Sequence, residues 1–234
     1  MSTLQFIDLA LPRKIAIRQG SAIVSYFVNP IAEAQWLKYF DGIVSTAKRE
    51  GNKVENHWDA TAAGIELVGE SLKGGANAGS TPLAHQLAIA NVLTSAYVPE
   101  AAESAFQEPM MAEAVRLWCV WGAGDGDLMR RFKNLVHFFE APTAEQYQRY
   151  RRDDSRAQIV GGSRKGMTIY RGAQRTLATL YDELIASVAG YALNGVALVG
   201  REQIARHMDT YHKVAAIAAL FSAGTPAIEE DEEE

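Results

Sequence analysis

Polar and apolar positions alternate near the beginning of the chain. Residues 14–18 alternate strictly, Gly20 lies in a turn, and residues 22–28 form a second run rich in β-branched and aromatic side chains. This pattern is typical of a β-hairpin. Pro30 then precedes apolar residues at helical spacing, so we predict a helix over 31–48 with the proline in its first turn.

The next apolar positions follow helical spacing in two further segments. Residues 58–72 predict one helix, although two glycines weaken it, and the glycine-rich stretch 74–80 predicts a loop. Thr81 and Pro82 form a typical N-cap and first-turn pair. They predict a well-buried helix over 83–96.

The second half of the chain predicts two strands followed by helices. An acidic connector over 99–111 precedes strands at 115–121 and 135–139, which we expect to pair with each other. A helical pattern begins after Pro142. A basic glycine-rich loop is predicted over 161–166, and two long helices are predicted over 175–188 and 201–221.

The two halves share an internal repeat. Residues 24–33 match residues 136–145 with Val, Phe, Pro, Ala and Glu in common, at an offset of 112. After a one-residue gap the match continues as Gln35-Trp36 over Gln146-Tyr147 and Lys38-Tyr39 over Arg149-Tyr150. Further on, Glu66 and Glu183 each begin a Glu-Leu-aliphatic triplet. Any strand that leads into a helix is rich in these residue types, so the match could arise by coincidence. We favour duplication over this alternative.

These patterns together predict an α+β fold, mostly α, in which short β-hairpins are each followed by helices and the module is duplicated. We predict an N-terminal module over 1–98 and a C-terminal module over 112–224. Residues 225–234 carry a block of like charges, which predicts a disordered acidic tail.

Composition excludes several classes of protein. The formal net charge of −5 argues against non-specific nucleic-acid binding by the whole chain. The single cysteine, Cys119, cannot form an internal disulfide and lies in an apolar run, so we expect a reducing compartment and a buried thiol. No secretion signal is expected. Residues 184–200 are short for a membrane span, and Asn194-Gly195 interrupts them, so no membrane partner is expected.

Catalytic and metal-binding motifs are absent from the sequence. His207 and His212 are five residues apart, which places them roughly 140° apart around a helix, unlike a metal-binding i, i+4 pair. We therefore expect no metal, no cofactor and no enzymatic activity. In the alternative that the chain is an enzyme with an unrecognised site, His137, His207 and His212 are the first candidates.

Basic residues concentrate between Arg130 and Arg175, a segment that contains eleven basic and four acidic residues. We favour a solvated helix face or a surface for a protein partner. Nucleic acid is a less favoured alternative, in which arginine neutralises phosphate and tyrosine stacks on bases. The candidate partner-binding residues are Arg149, Arg151, Arg152, Arg156, Arg164, Lys165, Arg171, Tyr147 and Tyr150.

Residues 180–191 and 207–215, with 27–30 and the similar 139–142, carry a family resemblance. They resemble uncharacterised proteins encoded in the tail modules of bacteriophages and prophages, some of them treated as tail-assembly proteins. The resemblance implies a structural or assembly role without catalysis. We expect other phage tail proteins as partners in the cytoplasm of the bacterial host. Self-association into a homo-oligomer and retention in the virion are left open by the sequence.

Overall fold

The computed structural model describes residues 6–50, 53–72, 80–96, 99–101, 114–121, 130–154, 157–163, 166–171 and 173–223. Within these residues the chain has an α+β fold, which confirms the predicted class. A short strand, β1 (Ile7–Asp8), comes first. The elements of the N-terminal module follow: β2 (Arg13–Gln19), β3 (Ala22–Val28), α1 (Glu33–Asp41), β4 (Val44–Glu50), β5 (Lys53–Asp59), α2 (Thr61–Ser71) and α3 (Leu83–Asn91). A π-helical turn, Val92–Ala96, extends α3.

The C-terminal half begins with β6 (Glu100–Ala101), which pairs with the strand after it. The remaining elements are β7 (Ala114–Trp121), β8 (Arg130–Phe139), α4 (Ala144–Asp154), β9 (Ala157–Ser163), β10 (Gly166–Arg171), α5 (Ala173–Leu184), β11 (Ile185–Ala189), β12 (Tyr191–Leu193), β13 (Val196–Ala197), α6 (Arg201–His207) and α7 (Thr210–Ala223). The two hairpins predicted from alternation, β2 with β3 and β7 with β8, are confirmed.

Three predicted helices are shorter than expected. The first ends at Asp41, and β4 occupies the segment up to Lys48, because Gly42 follows the helix and β-branched Val44 and Thr46 favour a strand. The second begins at Thr61. The prediction of helix over 185–188 is also wrong, since these residues form β11 against β8.

Three other predictions are wrong in detail. The helix expected over 201–221 is two helices, because the Asp209 side chain accepts a hydrogen bond from the Tyr211 N–H at 2.9 Å and caps a new helix there. The expected basic loop belongs to the hairpin of β9 and β10, whose turn residues lie outside the described residues. The N-cap of α3 is Pro82 rather than Thr81. Most of the predicted connector, the predicted loop before Ser80 and the acidic tail also lie outside the described residues.

The two modules share a common order of elements, to which the C-terminal module adds β12, β13 and α6 before its third helix. In each, a hairpin, a helix, a second hairpin and a second helix follow one another, and the chain then returns beside the strand that precedes the first helix. The Asn29 N–H donates to the Ser71 carbonyl at 2.8 Å, and the Glu140 N–H donates to the Leu184 carbonyl at the same distance. A third helix, α3 or α7, then packs against α2 or α5. This agreement supports duplication.

The structural equivalences refine the sequence match. Val28 and Phe139 end equivalent strands, and Leu72 and Ile185 are their equivalent partners. Glu183 therefore corresponds to Glu70, rather than to Glu66 as the triplets indicated. On α3 and α7 the buried positions coincide when His85 is placed over His212.

Buried apolar residues form two clusters. One lies among β2, β3, α1, α2 and α3, and the other lies among β7, β8, α5, α6 and α7 and also holds Ile7 and Leu9 from the beginning of the chain. The two parts share a four-stranded sheet in the order β5-β4-β10-β9, and β1 pairs in parallel with β12. The division at 98 and 112 stays a prediction.

Candidate functional site

A glutamine, a cation and a glutamate are repeated between the first two helices of each module. Lys38 of α1 contacts Glu70 of α2 at 2.6 Å, and Arg149 of α4 contacts Glu183 of α5 at 2.5 Å. Gln146 also donates to Glu183 at 3.1 Å. The duplicated pattern of residues thus includes an ion pair that holds the two helices of each module together.

The same glutamines begin the helices. The Gln35 side-chain oxygen accepts from the Ala32 N–H at 2.9 Å, and the Gln146 oxygen accepts from the Thr143 N–H at 3.0 Å. Side-chain hydrogen bonds lower the pKa of both glutamates, chiefly from Lys38 to Glu70 and from Arg149 to Glu183. Both carboxylates therefore stay ionised and retain their partners at neutral pH.

The helices α1 and α4 differ in what they cover. Trp36 is fully buried, and its ring meets Tyr211 of α7 edge-on with centroids 4.6 Å apart. Phe40 also contacts Tyr211. In this way α1 joins the two modules, because it packs on its own module and on the first turn of α7.

The candidate tyrosines of α4 face their own module. Tyr150 stacks on Phe221 with ring centroids 4.6 Å apart, and Tyr147 lies 5.8 Å from the same ring. Both tyrosines are half-buried. They contact the last turns of α7, at the opposite end from Tyr211, so their rings pack inside the module.

The candidate basic residues lie in several environments. Arg149 is held by Glu183, whereas Arg151 and Arg152 are exposed on the outer side of α4. Arg171 ends β10, and its side chain is outside the described part of the chain, as are Arg156, Arg164 and Lys165 entirely. Among the described side chains, Arg151 and Arg152 remain as the exposed basic pair of the predicted surface.

Two ion pairs join the modules through the first turns of α7. Arg13 of β2 binds Asp209, and both side chains are at least 95% buried. Burial alone raises the pKa of Asp209, but the charge and hydrogen bond of Arg13, with further contributions from His212 and the Tyr211 N–H, together outweigh burial and hold the pKa below its usual value. Both charges therefore persist at this junction.

Lys213 forms the second of these pairs. Its ammonium group is 99% buried, lies 2.5 Å from a carboxylate oxygen of Glu33 on α1 and lies 2.8 Å from one of Asp182 on α5. Burial raises the pKa of Asp182, partly offset by Lys213. The sequence alone gave no signal for this cluster, because Lys213 follows a histidine in a segment that looks like an ordinary amphipathic helix.

Two of the three candidate histidines meet in the C-terminal core. His137 bonds the hydroxyls of Tyr181 at 2.9 Å and Tyr191 at 2.8 Å, and Tyr191 also bonds His212 at 2.7 Å. Burial lowers the pKa of His137 well below 6.5 and that of His212 to about 4. Both imidazoles are therefore neutral at pH 7, and each can donate from one ring nitrogen and accept at the other.

This histidine–tyrosine chain has no contact with solvent. The side chains of His137, Tyr181, Tyr191 and His212 are all buried, and burial raises the pKa of both tyrosines well above 10. His207 lies elsewhere, at the end of α6. An inaccessible, neutral hydrogen-bonded chain stabilises a core and offers no approach for a substrate.

The N-terminal module has a simpler version of the same contact. Tyr26 takes the position of His137, and its hydroxyl bonds directly to Nδ1 of His85, the equivalent of His212, at 2.6 Å. In the C-terminal module Tyr191 is inserted between the two equivalent side chains. A strand residue bonded to a histidine of the third helix is thus common to both copies.

The remaining candidates for chemistry are buried or lack the required neighbours. Cys119 is buried as predicted, and burial raises the pKa of its thiol to about 12, so it is a poor nucleophile. The described residues hold no group of three metal-ligating side chains. No described helix has the length and apolar character needed to cross a bilayer.

Comparison with known proteins adds no further constraint on the function. No family model, curated protein or solved structure significantly matches this chain. Function therefore has to be argued from the geometry of the two modules.

Proposed function

We propose that this chain is a phage structural or tail-assembly protein that acts by binding other proteins and carries out no catalysis. The observation that supports this proposal is the difference between α1 and α4. At the position where α1 has buried Phe40 in contact with Tyr211, α4 has exposed Arg151. The helix that joins two modules in the first copy thus has a charged outer surface in the second.

A charged and exposed outer face suits a partner that arrives from solution. Arginine is enriched in the central parts of protein interfaces, where its guanidinium group can form a bidentate contact with a carboxylate. The two tyrosines of α4 pack against Phe221, which leaves them poorly placed for stacking on bases. This packing favours a protein partner over nucleic acid.

The resemblance of the sequence to phage tail-module proteins names the class of partner. We place the chain in the cytoplasm of the bacterial host during tail assembly, with other tail proteins as its ligands, and retention in the virion is part of the same proposal.

Co-expression tests this proposal. The chain, with an affinity tag, is produced together with the tail-tube and tape-measure proteins encoded near its gene, and the proteins recovered with it are identified by mass spectrometry. We expect one of these products to co-purify in stoichiometric amounts. Recovery of none of them would contradict the proposal, and so would a gene neighbourhood without tail genes.

A charge-reversed variant locates the interaction. Replacing Arg151→Glu and Arg152→Glu together should lower recovery of the partner at least tenfold, because both residues are exposed on α4. The matched control is Arg18→Glu with Arg206→Glu, which makes the same change of charge at two exposed positions elsewhere. Equal losses in both variants would argue for unspecific charge attraction. Duplex DNA binding that weakens steeply with salt would support the nucleic-acid alternative instead.

A further inference from the structure

The shared sheet has a repeating order of strands. The N-terminal module contributes the hairpin of β4 and β5, and the C-terminal module contributes the hairpin of β9 and β10. In the order β5-β4-β10-β9, the second strand of each hairpin comes before its first strand. The junction between the modules therefore joins the first strand of one hairpin to the second strand of the other. Ala47 lies opposite Met167, and Thr46 lies opposite Thr168, in antiparallel pairing.

This junction is head-to-tail. A two-fold related pair of modules would place equivalent strands side by side, whereas here two different edges of the module meet. Such a contact uses one edge of each module and leaves the other edge unused. Among the described residues, nothing pairs with the outer side of β5 or of β9.

From this order we infer that copies of the chain assemble head to tail, with β9 of one copy pairing antiparallel with β5 of the next as β4 pairs with β10 within the chain. The inference rests on the proposed function, in which the exposed face of α4 binds a protein, and it names a second copy of the chain as one such protein. A heterologous contact of this kind closes into a ring or continues as a filament, depending on the rotation that it imposes.

The composition of β9 favours pairing of its outer edge with another strand. Its seven residues, Ala157–Ser163, include no charge and no proline. Exposed edge strands usually carry lysine, proline or a similar device against unwanted pairing. Because β9 lacks these devices, its free edge is suited to receive a strand.

Exposed apolar residues mark the side that would receive α4. On α7, Tyr211 is covered by Trp36 and Phe40 of α1. Within the part of the chain that the structure describes, no aromatic pair covers the equivalent helix of the N-terminal module, α3, and its Leu83 and Leu87 are 59% and 38% exposed. These two leucines are one helical turn apart, so they form a continuous apolar surface beside the position equivalent to Tyr211.

Charge is complementary between the two outer sides. The segment from β5 through α2 carries Glu55 and Asp59 with one lysine, besides Glu66 and Glu70, whose carboxylates both contact Lys38 of the same module. The outer side of α4 exposes Arg151 and Arg152. Within the chain the corresponding junction also pairs opposite charges, since Asp41 of α1 contacts Arg175 of α5 at 3.0 Å. In the proposed contact Arg152 takes the place of Asp41, whereas Ala62 takes the place of Arg175, so the opposite charge would come from Asp59, three residues before Ala62.

The repeat also gives the register of the proposed pairing. Gly166 and Lys53 each follow the hairpin turn, so Met167 corresponds to Val54. Ala47 corresponds to Ile159, because each lies opposite an equivalent residue of its own hairpin, Asn56 or Ile169. Ile159 of one copy is therefore expected opposite Val54 of the next.

Disulfide crosslinking of the full-length chain tests this register. In the variant Val54→Cys with Ile159→Cys, oxidation should give a ladder of dimers, trimers and larger species on a non-reducing gel, and a reductant should reverse it. A disulfide within one chain is excluded, because the edge strands lie about 14 Å apart, three strand spacings, whereas a disulfide requires Cα atoms within about 7 Å. The native Cys119 is buried and stays reduced.

Three controls make the result specific. Either single cysteine should give no crosslink, because a head-to-tail contact never brings two copies of one position together. Val54→Cys with Ser163→Cys shifts the register by three positions of the ladder, about 10 Å, because β9 has one extra residue between Ile159 and Ser163, and it should also give none. Dimers from a single-cysteine variant would indicate a two-fold interface and overturn the inference. A chain that gives no ladder and stays monomeric by light scattering at high concentration would also overturn it.

A second variant leaves the sheet unchanged. Leu83→Glu with Leu87→Glu alters exposed residues of α3, so folding should survive, and the concentration needed for self-association should rise at least tenfold. The matched control, Val196→Glu with Val199→Glu, changes two valines that are about 70% exposed outside the proposed contact, and it should leave association unchanged. Equal association by both variants would contradict the role of α3.

The two proposals fail in different ways. A monomeric chain that still co-purifies with a tail protein would remove only the inference about self-assembly. A chain that forms the cysteine ladder but binds no tail product would remove the tail assignment and leave the head-to-tail contact in place.

Discussion

Helices α1 and α4 occupy equivalent places in two copies of one module and have taken opposite roles. Both begin with the same glutamine contact, and both hold the next helix through a cation and a glutamate. Apart from these shared contacts the two helices differ, because α1 buries Trp36 against the other module and α4 exposes Arg151 and Arg152. The difference teaches that contacts within a module are the same in both copies, whereas the contacts on its outer side differ.

The most damaging change should be at the α1 side of this comparison. Trp36→Ala removes a fully buried ring from the contact with Tyr211 and should lower the free energy of unfolding by about 3–5 kcal/mol. Tyr147→Ala at the equivalent position of α4 should cost about half as much, since that ring is half-buried. Denaturant unfolding followed by circular dichroism measures both. Equal losses would show that α1 has no special role between the modules.

The next largest effect concerns the buried lysine between the modules. Lys213→Gln introduces the residue found at the equivalent position of α3, Gln86, and removes the charge between Glu33 and Asp182. Removal of one partner from a buried ion pair costs about 3–5 kcal/mol, and we expect about 2 kcal/mol here because both carboxylates are partly solvated. The same denaturant titration measures it. A neutral result would mean that the modules are held together without this cluster.

The pH dependence of stability should come from the histidine–tyrosine chain of the C-terminal module. The folded-state pKa of His137 and of His212 lies below the unfolded value of about 6.5, so below that pH the unfolded chain binds more protons than the folded one. Stability should therefore fall as the pH is lowered from 7 to 5, by about 2 kcal/mol for each histidine. His137→Gln should remove one such contribution from the slope and leave the slope above pH 7 unchanged. An unaltered slope in the acid range would exclude His137 as its source.

The smallest effects should be the repeated ion pairs. A double-mutant cycle on Arg149 with Glu183 should give a coupling energy of about 0.2–1 kcal/mol, because these side chains are partly exposed, and the cycle on Lys38 with Glu70 should give a coupling no larger. Similar values in both modules are expected if the pair is a common inheritance. A coupling well above that range in one module only would indicate that its pair has acquired a further role.

Much of the fold could be predicted from local patterns. The two hairpins, the helices with a clear apolar side and the repeat that sets residues 24–33 over 136–145 were visible because each depends on neighbouring residues. The burial of Cys119 followed from its apolar surroundings in the same way.

The remainder depended on contacts between distant segments. The strand β9 is glycine-rich and hardly alternates, so its pairing with β10 gave no signal, and β11 looks like the continuation of α5 until β8 is placed beside it. The burial of Arg13 and Lys213 also had no local sign, since each is buried only because an acidic residue of the other module meets it. The candidate tyrosines were chosen for their type, and their packing on Phe221 could not be seen from spacing.

The covalent link between the two modules has a consequence for the concentration at which any assembly begins. In a row built from single modules, every contact would have to form between separate molecules. Fusion turns every second contact into an intramolecular one, with an effective concentration in the millimolar range for a short connection. The outer contact alone then responds to the amount of protein in the cell, so its charged and partly apolar surface sets the threshold for growth.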